Sequence, residues 1–295
     1  MVIIPSPCVG VCRMDDATGL CVGCGRTRDE IASWGQMAEG KREWVWGELA
    51  ARRATLNLSL HRLPWTHEDL RRFVVQSFRL PGATWVSGVS GALAEFCFDA
   101  GERVNLDIEA HRIVARTSRA AICIDLNEHI RAVALGTGRS AAERSTVLLV
   151  LPREHVEGRP PEGFLRVGPD REALVREACD ETLYDFGLGR SAGHFGIRTS
   201  SSALQACLDS AIGLPWRDAL AATGSALVQA SPTRVVRNPI GRIEVSTRIP
   251  PPGGKTPPGP HTHFLPPLID TANDIPPAVS LPSNLVPCLT YYPAG

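Results

Sequence analysis

The sequence has 295 residues, 31 Lys+Arg against 31 Asp+Glu, and a formal net charge of zero. That balance lacks the basic footprint of a nucleic-acid binder, and no apolar run reaches the roughly 18 residues of a membrane-spanning helix. Nine cysteines, an odd number in a chain with room for about two domains, argue against a secreted disulfide framework and point to a reducing cytoplasm.

The first residues have no positive n-region and too short an apolar run for a signal peptide, and the same shortness argues against a lipid attachment at Cys8. Lysine occurs only as Lys41 and Lys255 beside frequent arginine, the codon bias of a GC-rich bacterial genome.

Cys8, Cys12, Cys21 and Cys24 place four thiols within 17 residues, as Cys-x3-Cys and Cys-x2-Cys-Gly. Gly10, Gly19, Gly23 and Gly25 surround them. Glycine lets the backbone take positive φ and turn its N–H groups toward the sulfurs, which favours the metal-binding thiolate. The pattern reads as a four-cysteine metal site. Four thiolates suit a tetrahedral Zn²⁺ and an iron–sulfur cluster equally. Unligated thiols and a redox disulfide at Cys21/Cys24 are the competing readings. The remaining five cysteines read as small buried hydrophobes.

Thr27 with Glu30 predicts a capping box, and Ile31, Trp34 and Met37 follow at helical spacing. A second helix is expected over 41–53, carrying Trp44, Val45 and Leu49. So small a module has little core of its own, so bound metal is expected to supply much of its folding energy. Arg26, Arg28 and Arg42 are read as solvent-facing, either merely solubilising or a surface for an acidic protein partner. Cys8-Val-Gly-Val-Cys12, Gly19-Leu-Cys21-Val-Gly-Cys24-Gly25-Arg26-Thr27, then Glu30-Ile31-x2-Trp34-x2-Met37 and Arg42, resemble a small bacterial cysteine-rich family, domain of unknown function 1289. The resemblance covers residues 5–54. It implies an iron–sulfur centre held by Cys8, Cys12, Cys21 and Cys24.

Residues 55–65 read as a linker. Thr66 and Asp69 start a helix through about residue 79. Strand-like runs follow at 85–89, 92–98, 103–108, 111–116, 120–125 and 130–135, spaced as an antiparallel meander. The apolar run 147–151 predicts a central strand. An amphipathic helix is expected over 169–186, a strand at 195–199, helices at 200–212 and 216–222, and strands at 226–230 and 242–247. From Ile249 onward lie more than half of the 24 prolines, which predicts no sheet interior or long helix but either a disordered tail or an extended strap over the domain, the strap favoured by Leu265, Leu268, Ile269, Leu281, Leu285 and Tyr291. The fold class is therefore α+β. The expected domains are a metal module at 1–54, the linker, an α+β domain at 66–248 and the proline-rich segment 249–295.

His261-Thr262-His263 in the strap is a second candidate metal site. Neighbouring prolines keep the chain extended, and residues i and i+2 of an extended chain face the same way. Both imidazoles are thus placed to meet one ion. A third ligand is needed, with Asp270, His129, Glu128 and Asp125 as candidates. Packed or surface histidines are the bland alternative. Three further motifs are set aside. Gly189-x-Ser191-x-Gly193 lacks the strand–turn–helix order of a nucleophile elbow. Gly254-Lys255-Thr256 lacks the leading glycine of a phosphate loop. Asp125 to His129 reads as a turn.

The sequence thus predicts a cytoplasmic metal-binding protein. Its cysteine module serves as a structural or docking knob or as an electron relay to a redox partner. No nucleic acid or membrane is expected. The alternative is a redox or metal-dependent enzyme with a site near His261 and His263. No reaction is assigned.

Overall fold

The computed structural model describes residues 6–7, 14–22, 24–56, 59–89, 92–136, 146–156, 163–188, 193–251, 258–264 and 284–294. Cys8, Cys12, Asp270, Ser191 and Lys255 lie outside them. The described chain is α+β, dominated by two antiparallel sheets.

The first sheet has seven strands. In spatial order they are β1 (Ser59–Arg62), β7 (Arg131–Gly136), β8 (Thr146–Pro152), β15 (Leu285–Tyr292), β2 (Thr84–Val89), β3 (Ala92–Phe96) and β14 (Thr262–Phe264). The second has eight: β4 (Asn105–Ile108), β5 (Arg112–Arg116), β6 (Ala120–Asp125), β13 (Gly241–Val245), β12 (Thr233–Asn238), β11 (His194–Thr199), β10 (Thr182–Asp185) and β9 (Leu165–Pro169). Their facing side chains share one core, with Trp85, Ala94, Phe96 and Tyr291 from the first sheet and Ile122, Ile197, Val236 and Ile243 from the second. The expected strands between 85 and 135 all form, and the apolar run 147–151 is buried within its sheet.

Three helices close this core. α3 (His67–Ser77) starts at the Thr66–Asp69 capping box and contributes Leu70 and Val74. The Trp85 indole N–H donates to the Ser77 hydroxyl at 2.9 Å, which fixes α3 on β2. α4 (Ser202–Asp209) and α5 (Trp216–Ala230) add Leu204, Leu208, Ala219 and Leu227. The N-terminal module carries α1 (Arg28–Ser33), a 3-10 turn at Trp34–Gln36 and α2 (Glu39–Thr55). Its own cluster is small: Trp34, Val45 and Leu49, flanked by Met37 and Trp46. The Thr27–Glu30 capping box is present, and Glu30 also pairs with Arg52 at 2.6 Å. Among the described residues no helix is long and apolar enough to cross a membrane.

Three expectations are corrected. Residues 169–186 are not a helix but the end of β9, a turn, a 3-10 turn at Arg176–Ala178 and β10. Partners distant in sequence hold this stretch: Asp170 binds Arg198 and Arg242, and the Leu174 amide donates to Glu244 at 2.9 Å. Residues 226–230 continue α5, and the strand comes after Ser231, which turns the chain at φ 45°. Finally, proline does not keep the region after Ile249 out of a sheet interior, because β15 lies between β8 and β2. Pro287 is accommodated where the register with β8 shifts, between Pro287 and Leu289. At such a bulge the missing N–H costs no ladder bond. Residues 59–62, within the stretch read as linker, pair with β7.

Candidate metal centre

In the cysteine loop the backbone folds back on itself. Cys21 bridges to Met14, and Leu20 bridges to Thr27. The Cys21 amide donates to the Arg26 carbonyl at 2.8 Å, and the Gly25 amide returns to the Cys21 carbonyl at 2.7 Å. Gly25, at φ 75°, takes the left-handed conformation that this tight return requires. Cys21 and Cys24 are both buried, and a hydrogen bond joins their sulfurs. That neighbouring sulfur, then burial, push the Cys24 thiol far up, while Arg26 pulls it down. Two buried cysteine sulfurs side by side are a donor pair that suits a thiophilic cation.

Arg26 is not solvent-facing as its charge suggests. It is only 2% exposed, stacks 4.8 Å over the Trp34 ring, and donates through Nε to Cys24 Sγ at 3.4 Å. Arg42 is half-buried and donates to the Trp34 and Gly35 carbonyls. Arg28 is exposed.

The second centre follows from strand register. β14 pairs with β3 so that His263 opposes Leu93 and Thr262 opposes Ala94. One step on, the Glu95 amide donates to the His261 carbonyl at 3.0 Å. Side chains alternate along a strand, so His261, His263 and Glu95 share one face, turned away from the core that Ala94 and Phe96 enter. His263 Nε2 lies 2.7 Å from Glu95 Oε1, and His261 Nδ1 lies 3.5 Å from Oε2. One ligand atom from each of the three falls within 4.8 Å of the others. Glu95 is 2% exposed, and both imidazoles are largely buried. Burial pushes His261 down against the pull of Glu95, with His263 and Arg234 acting with burial. Its Nδ1 also lies 2.7 Å from the Gly259 carbonyl.

The structure thus joins the two histidines and brings Glu95 beside them, a third candidate ligand that sequence reasoning missed. Among the described candidates, Asp125 pairs with Arg112 and Glu128 with His129, the latter two in a turn after β6. Glu95 had one available signal, a lone acid in the apolar run Ala92–Phe96, but 166 residues separate it from His261. His194, next to the Gly-x-Ser-x-Gly motif, pairs with Asp185 at 2.7 Å.

Tyr292 lies on the same outer face as Glu95, since Val86 opposes Glu95 on one side and Thr290 on the other. Its hydroxyl is buried and has no hydrogen-bond partner among the described residues. Burial foremost, then the charges of Glu95 and Cys21, push it up.

Residues 69–295 match the model of a family of unknown function, DUF6925. The chain belongs to this family. The DUF6925 region contains Glu95, His261, His263 and Tyr292, whereas residues 6–53 match the model of a second family, described as protein of unknown function, DUF1289. Within that N-terminal region the chain is 43% identical over 42 residues to the uncharacterized protein YdhL of Escherichia coli K12, a match covering 14% of this chain and 52% of the relative. YdhL of Shigella flexneri matches to the same extent. The chain thus spans about half the length of the curated relatives it matches. No solved structure matches the chain.

Proposed function

We propose that this member of the DUF6925 family is a metal-dependent protein with two centres. Glu95, His261 and His263 hold a divalent transition metal. Cys8, Cys12, Cys21 and Cys24 hold an iron–sulfur cluster or, alternatively, Zn²⁺. The observation that carries the reading is the buried Glu95 carboxylate between two imidazoles on one sheet face. Two histidines and one carboxylate leave coordination positions open, the donor set of metal-assisted hydrolysis and of non-haem iron chemistry. That favours a metal-dependent enzyme over a purely structural knob. Bound metal would polarise a substrate or activate water there. The chain's own groups orient the ligands: Gly259 holds one His261 nitrogen, and the β14–β3 ladder sets both rings. The cysteine module serves as an electron relay if its group is redox-active and as a structural knob if it is zinc.

The test is metal and sulfide analysis of anaerobically purified protein beside two double variants. Cys21→Ser/Cys24→Ser is expected to lose the sulfur-bound group while the larger domain stays folded. His261→Ala/His263→Ala is expected to lose one divalent ion and keep the cysteine-bound group. Unchanged metal content in the histidine variant, after loading with Zn²⁺, Mn²⁺ or Fe²⁺, would overturn the triad assignment. Unchanged content in the cysteine variant would overturn the other.

A further inference from the structure

Four arginines are buried among the described residues: Arg26, Arg198, Arg234 and Arg242. Three have electron-rich partners. Arg26 meets a cysteine sulfur and a tryptophan face. Arg198 and Arg242 form a buried network with Asp170 and Glu244, at 2.7 Å from Arg198 to Glu244 and 2.6 Å from Arg242 to Glu244. Arg234 is as buried, 2% exposed, yet has no carboxylate partner among the described residues. Its donors reach only neutral oxygens: Thr262 Oγ1 at 3.3 Å, the Pro232 carbonyl at 2.7 Å and Thr247 Oγ1 at 3.1 Å. A buried guanidinium without a counter-ion is costly.

Arg234 lines a cavity of about 760 Å³ between α5, β11, β12 and β14. Phe186, Phe195, Ile197, Leu227, Ile249 and Phe264 supply much of the wall, and Arg234 is the single charged residue of the described lining. The register explains the placement. Arg234 is two residues from Val236, a core residue, so it points into the sandwich. Thr262 and Phe264 line the cavity from β14, while His261 and His263 leave that strand on the opposite face. Gly224 of α5 lines the cavity, and a Cβ there would meet nothing within 4 Å, so there is room beside it for a larger side chain.

We infer that this cavity binds an amphipathic monocarboxylate, its apolar body among the phenylalanines and its carboxylate on Arg234. An apolar chamber with one placed polar group is the usual form of a small-molecule site. The carboxylate gives Arg234 the counter-ion that Arg198 and Arg242 already have, in the forked geometry arginine prefers. Desolvation alone pushes the Arg234 guanidinium down to about 10, in keeping with a cation that lacks its anion. The inference does not depend on either metal centre.

The experiment is calorimetric titration of the full-length protein with octanoate and, separately, 1-octanol. Octanoate is expected to bind at least ~10-fold tighter than octanol, the scale of one charged hydrogen-bonded contact. Arg234→Leu is expected to remove that preference while octanol still binds. Gly224→Leu, which fills the cavity where there is room, is expected to abolish binding of both and acts as the check if Arg234→Leu does not fold. Equal affinity for the two ligands, or octanoate binding unchanged in Gly224→Leu, would overturn the assignment. Metal content measured on the same samples separates this result from any failure of the metal centres.

Discussion

Glu95 and His261 face each other across the β3–β14 pair, joined by backbone, with the Glu95 amide donating to the His261 carbonyl at 3.0 Å, and by side chain, with Oε2 3.5 Å from Nδ1. The edge strand that carries the histidines is thus held by the strand that carries the acid. Glu95→Gln keeps the shape and removes the charge. It is expected to weaken divalent metal binding by more than the roughly 10–100-fold typical of residues that merely support a ligand. Competition against a coloured chelator measures this, and a loss of less than about threefold would remove Glu95 from the ligand set.

Arg26 predicts a different kind of effect. Arg26→Ala leaves Cys24 Sγ without its charged donor and Trp34 without its cation. The metal affinity of the module is expected to fall about 10–100-fold. Arg26→Lys is not expected to restore it, because an ammonium neither stacks nor reaches as a planar fork does. Full recovery with lysine would show that charge alone matters.

A pH dependence follows from Glu102. Its hydrogen bonds with Arg119, at 2.6 and 3.2 Å, hold its carboxyl below the usual range against the opposing effect of burial. A carboxylate with a depressed folded-state pKa stabilises the fold above its unfolded value of about 4.3 and loses that contribution as pH falls through the folded value. Glu102→Gln is therefore expected to cost on the order of 0.5–1 kcal/mol at pH 7. The two stability curves should converge below pH ~4 in urea titrations. Arg119 also donates to the Pro258 carbonyl, just before the histidine strand, so acid is expected to loosen that approach.

Tyr292 tests the gap between the two centres. A buried hydroxyl without a partner is a net cost. Tyr292→Phe is expected to stabilise the metal-free protein by on the order of 1 kcal/mol, seen as a higher melting temperature. A lower melting temperature would mean that the hydroxyl has a partner.

Legibility in the sequence tracked locality. The capping boxes at Thr27 and Thr66 and the strands between 85 and 135 are set by neighbours within a few residues, and all formed. Residues 169–186 misled because their acids and alanines suit a helix locally, whereas Asp170 is held by Arg198 and Arg242 from other strands. The helix expected to stop at residue 222 runs on to Ala230 as α5, with Gly224 inside it over the cavity. The histidine pair was legible from its two-residue period. Its acid was not, because only the β14–β3 register brings Glu95 beside it.

The position of β15 has a consequence for synthesis. In the first sheet, β8 and β2 do not touch, and β15 alone joins the ribbon β1-β7-β8 to the ribbon β2-β3-β14. A ribosome adding about 5–20 residues per second must lay down the nearly two hundred residues from β2 to β15 before the two ribbons can meet. Throughout that interval each ribbon offers an open strand edge, the surface that invites aggregation. A chain interrupted before Leu285 would hold every candidate ligand named here and still lack the strand that joins the two ribbons into one sheet. Loss to aggregation is therefore expected to be decided late in translation, and chaperones that shield β8 and β2 are expected to raise the yield of native protein.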